Sequence, residues 1–137
     1  MPAELIIDTG AFVALIDRSE RQHDACVEVL EKWTGAIVTT EAVLTETLYL
    51  VGPKWRAQEV CLEFILRGAF LLVPLSPASL KRIADLMRKY QDVPMDFADA
   101  TLVALAEELR TNQVFTLDRR GFSVFRLRGK QAFEIFP

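Results

Sequence analysis

The sequence holds a single histidine, His23, and only two cysteines, Cys26 and Cys61, in 137 residues. That set cannot close a Cys/His zinc site. The cysteines lie among apolar neighbours in helix-like stretches and read as buried free thiols. His23, in Arg21-Gln22-His23-Asp24, reads as a solvated or cap-adjacent imidazole. Long hydrophobic runs are missing too. The longest uncharged stretch, Gly68 to Leu80, has 13 residues and is interrupted by Pro74 and Pro77, too short and too broken to span a membrane. The opening MPAELIIDTG carries Glu4 and Asp8 where a secretory signal would need basic residues and a longer apolar run. The expectation is a soluble, cytoplasmic protein. A basic excess is also absent. Lys and Arg number 16 against 19 Asp and Glu, a net charge of −3, which excludes a uniformly basic nucleic-acid module. The charge is uneven, however: residues 119–137 carry Arg119, Arg120, Arg126, Arg128 and Lys130 against Glu134 alone. Linkers, low-complexity tracts and internal repeats are likewise not found.

What is present is enough apolar material for a real core. Hydrophobic residues make up 51% and charged ones 26%, so residues 1–137 read as one folded domain. Mean hydropathy is +0.20, high for a small soluble domain, and a buried subunit interface would absorb the surplus.

Short apolar runs alternate with helical patterns. Leu5-Ile6-Ile7, Ala36-Ile37-Val38, Phe70 to Val73 and Val114 to Leu117 read as four strands, with one or two weaker ones around Val124 and Phe133 to Phe136. Helices are expected from Gly10 to about Ile16 (capped by Thr9), at 22–33, from Thr40 through Tyr49, at 54–66, from Ser76 or Ser79 to about Tyr90, and from about Phe97 to Leu109. The last is apolar nearly all round and should be central. Trp33 and Trp55 read as core or interface residues. Strands alternating with helices imply an α/β fold with a parallel sheet covered on both faces. Ligands in such sheets gather at the carboxyl ends of the strands, where the strand order reverses.

Acids fall at that kind of place. Asp8 ends the first strand and Asp118 the fourth. Glu46 lies in the apolar segment TTEAVLTETLYLV. Asp96 is well placed as a helix N-cap, and Asp99, three residues on, lies on the same helix face. Each has an ordinary explanation taken alone: a turn, a cap, a loop start or a narrow polar face. Asp99 sits between alanines, however, and no Lys or Arg occurs between Lys89 and Arg110, so a local ion-pair partner is missing. Clustered carboxylates raise one another's pKa values, and a divalent cation such as Mg²⁺ or Mn²⁺ removes that repulsion. Such a site suits metal-assisted attack of water on a phosphodiester, which needs neither histidine nor cysteine.

At four segments the sequence resembles the PIN-domain ribonucleases and, within them, the VapC toxins of type II toxin–antitoxin systems. The segments are IIDTGAFVALID (6–17), VTTEAVLTETLYLV (38–51), PMDFADATLVALAEEL (94–109) and VFTLDRRGF (114–122), in matching order and spacing. The resemblance implies a three-layer α/β/α fold with strand order 3-2-1-4-5. It implies an acidic quartet of Asp8, Glu46, Asp99 and Asp118 that holds Mg²⁺ or Mn²⁺, with Asp96 as an additional ligand candidate. Thr116 is a candidate to support Asp118 or a bound water, and Thr9 to contact metal or phosphate. Arg119 and Arg120, directly after Asp118, are candidates to hold RNA phosphates. Further implications are an RNA substrate, a homodimer and a cognate VapB-type antitoxin. Alternatives within the family are a housekeeping nuclease of RNA processing or decay and a non-catalytic RNA-binding domain. A phosphorelay receiver fits poorly, because Asp8 is followed by Thr9-Gly10 and the third strand runs into Val73-Pro74-Leu75. A phosphatase with an aspartyl nucleophile would place Asp where Gly10 stands.

Overall fold

Leu5, Ile6 and Ile7 form β1 (Leu5–Ile7), and all three side chains are fully buried. Successive strand side chains point to opposite faces, so this run can be buried throughout only if helices cover the sheet on both sides. The computed structural model, which describes residues 3–137, has that architecture. β1 lies between β2 (Ile37–Thr39) and β4 (Gln113–Phe115), paired in parallel with both. β3 (Leu71–Leu72) adds beyond β2, and β7 (Glu134–Phe136) beyond β4, again in parallel. The sheet order is 3-2-1-4-7. The expected order 3-2-1-4-5 is therefore right in its arrangement, but the edge position belongs to the last strand of the chain. Before it, β5 (Arg126–Leu127) and β6 (Gln131–Ala132) form a separate antiparallel pair. Val124 lies in the turn ahead of that pair rather than in a strand.

Seven helices lie between these strands: α1 (Thr9–Ile16), α2 (His23–Lys32), α3 (Glu41–Leu50), α4 (Trp55–Leu66), α5 (Pro77–Lys89), α6 (Phe97–Leu109) and the four-residue α7 (Arg119–Phe122). Their starts follow side-chain chemistry. Thr40 caps α3 through Val43 N, Ser76 caps α5 through Ser79 N with Pro77 in the first turn, and Asp96 caps α6 through Asp99 N, each worth about 1 kcal/mol. Thr9, expected as a cap, is instead the first residue of α1, and Asp8 caps it. α6 is buried from Ala100 through Glu107, as its all-round apolar pattern requires. Phe12, Phe64 and Phe70 pack together, with Phe12 edge-on to both others. Trp33 packs edge-on against Phe136, whereas Trp55 is 64% exposed and no part of this core. Cys26 and Cys61 are buried free thiols, and burial pushes both up to about 11. No helix among the described residues is long and apolar enough to cross a membrane.

The chain runs from β1 outward to β2 and β3, then returns to place β4 on the other flank of β1. That reversal opens a crevice at the carboxyl ends of β1 and β4.

Candidate active site

Asp8 is the residue directly after β1, and its backbone N–H donates to Phe115 O at 2.9 Å, so the crevice wall is tied to β4. One carboxylate oxygen, Oδ1, accepts from Thr9 N at 2.8 Å; the other, Oδ2, accepts from the Thr116 hydroxyl at 2.7 Å. Asp8 is only 6% exposed. Burial pushes its carboxyl up to about 6, against the pull of those two hydrogen bonds and with help from the charges of Asp118 and Glu46.

β4 ends at Phe115, two residues before the expected end, so Asp118 is not a strand-end residue. Thr116 instead bridges the two acids: its hydroxyl donates to Asp8 and accepts from Asp118 N at 3.0 Å. Asp118 caps α7, with Oδ1 accepting from Gly121 N at 3.0 Å. Its other oxygen occupies the space beside Gly121, where an added Cβ would come 2.5 Å from Asp118 Oδ2 and 3.2 Å from the Phe125 ring. Arg119 and Arg120 follow on the exposed side of α7, and the Arg119 guanidinium donates to Pro137 O.

α6 brings Asp96 and Asp99. They form a reciprocal capping box, Asp99 N to Asp96 Oδ1 at 2.8 Å and Asp96 N to Asp99 Oδ2 at 3.2 Å. This satisfies two backbone donors but sets two carboxylates side by side. Burial, then the charge of Asp8, then that of Asp96 push the Asp99 carboxyl up to about 8. Glu46 is half-buried on α3. The Thr40 and Thr101 hydroxyls meet at 2.8 Å and pin the start of α3 to α6. Asp8 thus feels Glu46 and Asp118, and Asp99 feels Asp8. None of the four pairs with a base: among the described residues the ion pairs are Lys32–Glu28, Arg67–Glu63 and Arg82–Glu107.

A divalent cation fits this chemistry. The donors are hard oxygens, and their mutual repulsion lacks a neutralising partner. The Thr9 hydroxyl beside Asp8 is buried without a hydrogen-bond partner among the described residues, a cost of about 1–3 kcal/mol unless a ligand or water meets it. The aspartates are engaged with helix caps, and among the described residues no three of the carboxylates converge closely enough to share an ion as they stand.

Gly121, Thr40 and Thr101 escape a search of the sequence for acids. Gly121 does stand in the Asp118-Arg119-Arg120-Gly121 run, where a glycine three residues after a capping acid signals close approach. The Thr40–Thr101 contact spans 61 residues and has no local signal. His23 is no part of the site; its Nδ1 lies 2.6 Å from Ala14 O.

Residues 5–126 match the family model described as PIN domain. Over 135 residues, 97% of this chain and the whole of the other, the sequence is 36% identical to Ribonuclease VapC26 of Mycobacterium tuberculosis. Among solved structures, VapC20 of the same organism, described as a Sarcin-Ricin loop cleaving toxin, superposes with a TM-score of 0.80 at 16% identity, covering 88% of this chain and 95% of that one. VapBC2 from Rickettsia felis bound to a DNA fragment from its promoter gives 0.68 at 16% identity, with 98% and 99% covered. A toxin–antitoxin complex from Klebsiella pneumoniae gives 0.67 at 22% identity, with 88% and 92% covered. At those identities the likeness is one of fold.

Proposed function

The chain belongs to the PIN-domain family, in its VapC group, and on that premise we propose that it is an Mg²⁺- or Mn²⁺-dependent ribonuclease, the toxin of a type II toxin–antitoxin pair. The observation that carries this reading is the pair Asp8 and Asp99, two carboxyls held up at about 6 and about 8 by burial and by neighbouring acids, with no base paired to either among the described residues. Asp8, Asp99 and Asp118 would hold the cation, with Glu46 direct or through water and Asp96 beside them.

When bound, the cation supplies activation of water and offsets charge building on the phosphate. The chain's own groups do the positioning. Thr116 and Thr9 N fix both oxygens of Asp8, so its carboxylate is oriented before any ligand arrives. Gly121 N fixes Asp118. The Thr9 hydroxyl, buried without a partner among the described residues, would contact the metal or a phosphate next to Asp8. Arg119 and Arg120 would take RNA phosphates on either side of the scissile bond.

The protein is further proposed to be cytoplasmic, to form a homodimer and to be silenced by a VapB-type antitoxin. Trp55, Val60, Leu62 and Leu66 stand exposed on α4, apolar area that a protein partner would cover. The relative's name, and the toxin–antitoxin complexes among the fold neighbours, support that reading.

The test is RNA cleavage by purified protein with Mg²⁺, with chelator, and after Mg²⁺ is restored. Cleavage that chelator abolishes and Mg²⁺ or Mn²⁺ restores is expected. Cleavage that survives chelation sinks the metal assignment, and no cleavage of any RNA under either condition sinks the nuclease.

A further inference from the structure

An open groove of about 570 Å³ lies between α3 and the first turn of α6, with Glu46 and Asp96 among its lining residues. One wall is the stripe Ala42, Thr45, Glu46 and Tyr49, spaced so that all four share one face of α3. The other wall is Asp96, Phe97 and Ala98. Ala98 is buried and Ala42 half-buried, while Tyr49 is 82% and Phe97 42% exposed. Two aromatic rings thus stand in solvent at the lip of a groove whose deeper side chains are too short to fill it.

We propose that this groove is a base pocket: it holds one unpaired nucleobase of the RNA, next to the phosphate being cut, against Tyr49 and Phe97. The inference rests on the nuclease reading and names the part of the substrate which that site selects. Single-stranded RNA is recognised by bases stacked on aromatic side chains and hydrogen-bonded along their edges. None of the residues lining the groove is Lys or Arg, so a phosphate is repelled there and a neutral base is not. Asp96 spends one oxygen on the helix cap and keeps the other for an N–H donor. Guanine, whose adjacent N1–H and N2–H₂ both donate, can set a donor on that oxygen without turning a carbonyl on its N2 side toward it. Uracil, whose single N–H is flanked by carbonyl oxygens, suits it worst. A second copy of the chain is the poorer occupant. Symmetric packing here would bring two acid-lined walls together and dry them without a cation.

The experiment uses the full chain carrying Phe97→Trp together with Asp99→Asn, which on the nuclease reading binds RNA without cutting it. Indole emission is titrated, with Mg²⁺ present, against two short single-stranded oligonucleotides, one all uridine and one with a single guanosine. Quenching by both is expected, with binding about tenfold tighter for the guanosine strand. Adding Tyr49→Ala should erase most of that advantage, and Tyr49→Phe should keep it. In the otherwise wild-type protein, Tyr49→Ala should raise KM and abolish the base preference at one fixed position near the cut, with cleavage persisting. Four results overturn the proposal: RNA binding without quenching; equal affinity for the two strands; a base preference that survives Tyr49→Ala; or emission that changes with protein concentration alone, which would give the groove to a second copy. The nuclease reading fails separately. Wild-type protein that never cuts RNA while quenching persists removes the nuclease and leaves the pocket, whereas cutting without quenching removes only the pocket.

Discussion

Asp99 meets the strongest opposition to ionising of any group at the site. Burial and the charges of Asp8 and Asp96 hold its carboxyl at about 8, against about 6 for Asp8. A carboxyl raised above its unfolded value of 3.8 favours the fold while it is protonated. Its contribution is fully present below the unfolded pKa and is lost as pH rises through the folded one. Cation-free protein should therefore lose stability between about pH 4 and pH 8 on account of this pair. Asp99→Asn, which keeps an oxygen for the Asp96 N–H, removes the larger share. Thermal melts in chelator should put the variant several degrees above wild type at pH 8.5, with the gap closing toward pH 4; parallel melting curves at all pH values would refute the cause given. Gly121 is a positioning residue of a different kind. An alanine there would bring its Cβ 2.5 Å from Asp118 Oδ2, so the carboxylate must swing aside. Gly121→Ala should cut RNA cleavage about tenfold or more with little change in circular dichroism; unchanged cleavage would show that the placement of Asp118 does not matter.

At the scale of elements, Glu107 near the end of α6 fastens three parts of the fold. Its carboxylate accepts from Arg82 Nε at 2.8 Å and Nη2 at 2.9 Å on α5, and from Arg128 N at 2.6 Å in the turn between β5 and β6. Burial alone would raise its pKa, but these donors outweigh burial and hold it below the usual carboxylate range. Glu107→Ala should cost about 2–3 kcal/mol in a urea titration, less than a fully enclosed pair because Arg82 stays 37% exposed. A loss under 0.5 kcal/mol, taken as about the scatter of surface substitutions, would contradict that role. The same elements show what the residues foretell. Continuous apolar runs mark β1, β2 and β4, and the apolar pattern with an acid at its start marks α6, because those signals are local. Two-residue β5 and β6 and four-residue α7 are too short for any period to register. The weak strand expected around Phe133 to Phe136 is β7 (Glu134–Phe136), but its parallel pairing with β4, about twenty residues back, is encoded by no local pattern. Asp8, Asp96, Asp99 and Asp118 were all visible as acids at element boundaries, and Asp96 caps α6 as its position suggested. The Thr116 hydroxyl on Asp8, 108 residues away, and the two-threonine link between α3 and α6 exist only once the chain has folded.

For the molecule as a whole, the acidic balance and a nucleic-acid substrate are compatible because the charge is divided. The crevice gathers acids that repel one another, while the last nineteen residues carry five bases against one acid. A polyanion can approach the basic segment, and the crevice becomes hospitable to a phosphate only once its own charge is offset. The proposed site thus requires Asp99 to give up a proton to admit a divalent cation. Calorimetric titration of Mn²⁺ into the metal-free protein at several pH values between 6 and 8 tests it most directly. Affinity should rise about tenfold per pH unit with release of close to one proton, and Asp99→Asn should weaken the binding and abolish the dependence. Binding that is independent of pH, or unchanged in Asp99→Asn, would contradict the account.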